Sequence, residues 1–231
     1  MIRLSPIHAL VAAAAVSACA GSGGTTSPGP RRTVALSLSV PAPRAATLPP
    51  GLQISTVRLV VGDVSLGGGD QFGCVDCQNN DTGEHRTSPA LVTLAAGSGP
   101  VQVGTDEVQP GTFQAAEIDI VRPATPLIGA TTDTTIELSG SLNGKAFTIG
   151  IPATGTFVQP LSPPLQVGAT PSGAISVKVD LPIATWFAGY AGTTLDPSDP
   201  VQRAQIVANV QRFLAAGAAE EARSESGGRE D

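Results

Sequence analysis

Hydrophobic and polar residues alternate in short bursts through most of this chain. Val34, Leu36, Leu38 and Val40 are separated by Ala35, Ser37 and Ser39, the period-2 signature of a strand buried on one face. Comparable runs predict strands over residues 54–66, 90–95, 101–104, 113–121, 134–142, 145–151 and 174–181. Residues 156–159 and 165–167 could add two short edge pieces. Asn143-Gly144 stands between two of these runs and suits a type I′ turn, whose two central residues both take positive φ. The flanking segments are therefore expected to pair as a hairpin. Proline-rich breaks at residues 41–50, 123–126 and 160–164 read as crossings between sheets or as edges. Only one helix is expected. Asp196-Pro197-Ser198-Asp199-Pro200 supplies a capping side chain and a proline for the first helical position. Apolar residues then recur at Ile206, Val207, Val210, Phe213 and Leu214, with Gly217 as the stop. Many short strands with no helices between them predict a mostly β fold, an antiparallel β-sandwich of about 8–10 strands with one C-terminal helix over an open face or end.

The N-terminus carries a different pattern. Arg3 precedes an apolar run from Ile7 to Val16, which reads as a secretory signal peptide and, at about ten residues, is too short to span a bilayer. The junction Val16-Ser17-Ala18-Cys19 resembles the lipobox of bacterial lipoproteins. That resemblance implies acylation of Cys19, which would become the first residue of the mature chain, and the absence of Asp at position 20 implies an outer-membrane address. The expected partition is a signal peptide over residues 1–18, a flexible Gly/Ser/Thr/Pro-rich tether over 19–32, a single domain over 33–218 and a disordered acidic tail over 219–231.

Composition narrows the classes further. The chain has 13 basic and 19 acidic side chains; losing Arg3 with the signal peptide leaves 12 against 19, a charge of −7, so nucleic acid is not an expected partner. Beyond the lipobox, the segment Val34 to Val40 ending at Pro41, the run Val108-Gln109-Pro110-Gly111-Thr112-Phe113 and the pair Trp186-Phe187 ahead of Leu195-Asp196-Pro197 resemble exported bacterial β-sandwich lipoproteins of unknown function. That family implies the fold and the envelope location but no activity.

Candidate chemistry is sparse. Of two histidines, His8 belongs to the signal peptide, so any nucleophile activated by a base would depend on His85 alone. His85 sits between Glu84 and Arg86 in a polar stretch and reads as a solvated loop residue. No nucleophile elbow, phosphate loop, dinucleotide fingerprint or His-Glu-x-x-His pair occurs. The unusual segment is 67–88, with the run Gly67-Gly68-Gly69, Cys74-x-x-Cys77, Asp70, Asp76, Asn79, Asn80, Asp81, Glu84 and His85. Export favours a Cys74–Cys77 disulfide. A metal site built from Cys74, Cys77, His85, Asp76, Asp81 and Glu84 is the alternative, with zinc on the thiolates or calcium on the carboxylates, and a redox dithiol is a third. Sugar-stacking platforms use exposed Trp or Tyr; the chain has one of each, Trp186 and Tyr190. Trp186 and Phe187 read as core or rim packing, so polysaccharide binding is not favoured.

These readings converge on a non-catalytic lipoprotein of the bacterial cell envelope, held at the outer membrane by its lipid anchor and binding an unidentified envelope or extracellular ligand, with no cofactor. The alternative function is a metal-binding or redox protein using the Cys74/Cys77 loop.

Overall fold

The computed structural model describes residues 31–40, 48–67, 88–169 and 174–226, with side chains as far as residue 215. It is mostly β, with nine strands in two sheets and a long helix at the C-terminal end. The strands are β1 (Arg32–Ser39), β2 (Leu52–Gly67), β3 (Ala90–Ala95), β4 (Val101–Val108), β5 (Gly111–Ile120), β6 (Ile136–Leu142), β7 (Lys145–Ile151), β8 (Gly155–Val167) and β9 (Ile175–Asp180). Helix α1 (Ile183–Trp186) is one turn, and α2 spans Pro200–Ser226. The smaller sheet has the order β4-β1-β9; the larger runs β7-β6-β2-β5-β8, with β3 also paired to β2. Apolar side chains from both sheets and from α2 form one continuous core.

The period-2 alternation builds this core, and its interruptions shape it. Inward positions on β2 are Leu52 and Ile54, then Val57, Leu59 and Val61, then Val64 and Leu66. The two steps of three coincide with register shifts between Ile54 and Thr56 and between Val61 and Val64. A bulge inserts one residue and so restores the apolar set to the core face, which a one-residue slip would otherwise turn outward. These bends let β2 serve two partners along one edge. Its N-terminal part pairs with β6 as far as Leu59, and its C-terminal part pairs with β5 from Val61. Val60 marks the handover, donating its N–H to the Thr135 carbonyl and accepting the Val121 N–H. Strand β3 occupies the other edge, with Val61 paired to Ala90 on one side and Ile120 on the other.

Several expectations hold in detail. Strands β3 and β7 match their predicted residues, β6 forms the expected hairpin with β7 but begins two residues late at Ile136, and Asn143 (φ 50°) and Gly144 (φ 81°) form the two-residue turn between Leu142 and Lys145. Asp199 caps α2, accepting the N–H groups of Val201 and Gln202 at 2.8 and 3.1 Å, while Pro200 takes the first helical position. The side chains of Ile206, Val210 and Leu214 are buried, and the helix packs on β8 and α1.

Other expectations need correction. The antiparallel β-sandwich itself holds, with one parallel pair that was not expected, β9 on β1; the long connection between them permits a crossover that no hairpin could make. Strand β4 continues four residues beyond Gly104 to Val108. Its register shifts opposite Leu36 and Ser37, which turns Asp106 inward and hides a carboxylate where simple alternation would place an apolar residue. The two expected edge pieces are one strand, β8, which carries Pro160, Pro163 and Pro164. It tolerates them because it ends the sheet, where a missing N–H leaves no ladder partner unmet. Residues 121–135 do not cross between sheets. They stay beside β2, with Arg58 Nη2 donating to the Leu127 carbonyl at 3.4 Å and with Val60 and Ile128 fully buried, and return to the same sheet. Finally, α2 does not stop at Gly217: its backbone continues to Ser226, into the stretch expected to be a disordered tail.

Candidate functional site

Two ends of the sandwich differ in chemistry, and β1 defines them. The chain enters at Arg32, and the 8 residues of β1 cover roughly 26 Å at the usual strand rise. At the entry end Arg32 is largely buried and donates from Nη1 to the Gly168 carbonyl at 3.5 Å. Asp106, opposite Val34, is 4 % exposed and accepts the Leu66 N–H at 2.9 Å. That charge-assisted bond fixes the final residues of β2 against the smaller sheet. Gly67, the last described residue before the cysteine-containing segment, therefore leaves from the same end at which the chain enters.

Most of the sequence-predicted site residues lie outside the described residues: Cys19, Cys74, Cys77, His85, Asp76, Asp81 and Glu84. The structure neither assembles nor separates them. Among the described residues no group of three or more His, Cys, Asp or Glu side chains could hold a metal ion, and no helix is long and apolar enough to cross a membrane.

At the opposite end, β1 and β9 finish side by side. Ser39 is buried and pairs in register with Asp180; its hydroxyl donates to Asp180 Oδ1, and Lys178 Nζ lies 2.9 Å from the same oxygen. Partial burial acts to raise the Asp180 pKa, but the hydrogen bonds from Ser39 and Lys178 and the Lys178 charge outweigh it and hold the carboxyl below its ordinary value. The Gln159 side-chain carbonyl accepts the Asp180 N–H at 3.0 Å. A serine hydroxyl that donates to a carboxylate is held as a strut. The carboxylate that receives this bond has a lowered pKa and is a poor proton acceptor, and the Ser-Asp-Lys group ties the strand ends together. A second carboxylate, Asp196, shapes the turn before α2: it accepts from the Ser198 N–H and hydroxyl at 2.8 and 2.7 Å, and these bonds lower its pKa.

Directly beyond Asp180 come α1 and a loop that separates the two aromatic candidates. Trp186 is 2 % exposed and Phe187 is fully buried, with the Phe187 and Phe147 rings 5.8 Å apart. Trp186 also lines a small apolar cavity, with room for about one water, beside Leu59, Ile118, Phe157 and Leu214. Its Nε1 has no hydrogen-bond partner among the described residues. Both residues are core, as the sequence implied. Tyr190, four residues on, is 94 % exposed.

The loop that carries Tyr190 is closely braced. Leu195 N–H donates to Phe187 O at 2.9 Å, Gly189 N–H to Thr193 O at 2.7 Å, and the Thr193 hydroxyl to Tyr190 O at 2.8 Å. Asn209 of α2 clamps the base, its Nδ2 donating to Trp186 O at 3.1 Å and Ala188 O at 3.0 Å. Within this frame Ala191 adopts φ 53°, a left-handed conformation that costs a non-glycine residue about 1–2 kcal/mol. The bracing bonds hold the chain there. Sequence reasoning counted Tyr190 among the few aromatics without reading its exposure; the signal was Gly189 and Gly192 flanking it, a turn composition that turns the tyrosine away from the apolar pair.

The chain matches no protein-family model, no curated protein and no solved structure.

Proposed function

We propose that this protein is a non-catalytic, lipid-anchored module of the bacterial cell envelope, probing its surroundings with the end of the sandwich remote from its anchor. The anchoring part of the reading rests on the N-terminal run and the Val16-Ser17-Ala18-Cys19 junction. Its geometrical support is the direction of β1: the tether joins the fold at Arg32, whereas β9 runs parallel to β1 and delivers the Tyr190 loop beyond the other end. Residues 19–32, fully extended, reach roughly 45 Å, enough to hold the domain clear of a lipid surface.

The single observation that carries the binding part is Tyr190, a fully presented aromatic on a braced loop. The buried, strand-end and helix-cap polar groups considered above have structural work: Asp106 fixes β2, Ser39 and Asp180 join β1 to β9, and Asp199 caps α2. Membrane fractionation tests the anchor. The wild-type chain should partition with membranes, and Cys19→Ala should leave an uncleaved or soluble form. Equal partitioning of the two would refute the lipid-anchor reading.

A further inference from the structure

We infer that the Tyr190 loop is a binding site for an uncharged saccharide, which stacks a sugar ring on the tyrosine. This rests on the reading of the protein as a binding module and names its ligand class.

Three features converge on the loop. First, Tyr190 is nearly as exposed as a tyrosine can be, although folding gains nothing from an aromatic left in water. Second, it is held rather than loose: the bonds at Gly189, Thr193 and Leu195 and the Asn209 clamp fix the backbone, including the unfavourable φ at Ala191. Backbone strain retained at an exposed tip is a feature of recognition sites, and a ring fixed in advance loses little conformational freedom on contact. Third, residues 182–195 contain no Asp, Glu, Lys or Arg, in a chain with a net charge of −6. The tip offers an aromatic face, a phenolic hydroxyl and the Thr193 side chain without a fixed charge.

Ligand size follows from what surrounds the ring. Ala188, Ala191, Gly192 and Thr193 are exposed and small. Among the described residues the other exposed large apolar side chains are Leu91 and Val201. Val201 lies eight residues before Asn209 on α2, about 12 Å along the helix axis. The apolar contact is therefore one ring wide. A protein partner needs a contiguous apolar centre within an interface of about 800 Å² per side, which this tip does not offer. A bilayer lies at the opposite end, where the tether enters. A sugar ring matches the tyrosine in area, pairing its axial C–H groups with the aromatic face and its hydroxyls with the phenol and Thr193.

The test uses the full mature chain in detergent micelles, co-sedimented with insoluble cellulose, chitin and β-1,3-glucan, and with cross-linked polygalacturonate as the charged comparison. At least one neutral polysaccharide should retain the protein. Tyr190→Ala should weaken retention about tenfold or more, equivalent to about 1.4 kcal/mol, whereas Tyr190→Phe and Tyr190→Trp should keep it. Equal thermal unfolding of all variants would show that the fold is intact. Retention by none of the neutral polymers, or retention unchanged in Tyr190→Ala, overturns the assignment. Tyr190-dependent co-sedimentation with phosphatidylcholine vesicles and with no polysaccharide would overturn it too, giving the loop to a membrane. None of these outcomes depends on Cys19 acylation, which is read separately from the mass of the same preparation.

Discussion

Thr135 is a buried hydroxyl whose worth can be worked out from its partners. It is 0 % exposed. Its Oγ1 accepts the Ala153 N–H at 3.1 Å and lies within donor reach of the Ala153 carbonyl and of the Ile151 carbonyl, the latter at 3.2 Å. One hydroxyl thus holds the chain where it leaves β7, ahead of β8. Thr135→Val preserves shape, so no cavity forms, but it strands the buried Ala153 N–H and removes a donor from a carbonyl. An orphaned buried group costs about 1–3 kcal/mol and a lost bond about 1 kcal/mol, for a total near 3 kcal/mol. Thr135→Ser keeps the hydroxyl and loses a methyl, worth about 1 kcal/mol. Urea unfolding followed by emission of Trp186, the sole tryptophan and a core residue, reads both changes. With a slope of about 2 kcal/mol/M, Val should lower the midpoint by roughly 1.5 M and Ser by roughly 0.5 M. If the valine variant matches wild type, or proves more stable than the serine variant, the hydroxyl is not what holds this junction.

Acid titration tests the strut between β1 and β9. Because the folded pKa of Asp180 is lowered, its contribution is present above the unfolded carboxyl value near pH 4 and is lost as pH falls through the folded value. Ser39→Ala should raise the Asp180 pKa in a carbon-detected NMR titration and flatten the acid dependence of stability below about pH 4; an unmoved pKa would contradict the assigned hydrogen bond. At Gly155 (φ 140°) an added Cβ would stand 3.1 Å from Leu214 Cβ, so Gly155→Ala should loosen the α2–β8 contact and cost about 1–3 kcal/mol. Faster amide exchange confined to α2 and β8 is the expected readout, and unchanged exchange there would show that the close approach is not required. Asn209→Ala removes the clamp on Trp186 O and Ala188 O. It should raise exchange at Gly189, Thr193 and Leu195, and a loop that stays equally protected would mean that its internal bonds suffice.

What the sequence revealed depended on how local the determining physics was. The Asn143-Gly144 turn and the Asp199-Pro200 helix start are legible because two or three neighbouring residues decide them. Strand existence was legible where alternation ran unbroken, as in β1, β3 and β7. It failed where tertiary pairing breaks the period: Asp106 lies beyond the strand expected to end at Gly104, until the β4 register shift turns it inward to meet Leu66. In β2 the spacing of Ile54 to Val57 and of Val61 to Val64 carries the two bulges openly, as steps of three within a period of two. The parallel pairing of β1 with β9 joins segments more than a hundred residues apart, and no local pattern encodes it. As for the site, the sequence placed Trp186 with Phe187 in the packing but carried no reading of Tyr190, which a strained turn presents to water. The segment that drew most attention in the sequence, around Cys74 and Cys77, lies outside the described residues.

The central proposal is that a lipid anchor at Cys19 makes this sandwich an envelope module, and the mass of its N-terminal peptide tests that proposal most directly. The protein should be expressed from its full sequence in a bacterium that processes lipoproteins, extracted in detergent, digested and analysed. The expected result is a peptide beginning at Cys19 that carries a thioether-linked diacylglycerol. A peptide beginning at Cys19 with a free thiol, or one still continuous with Ala18, would contradict the account.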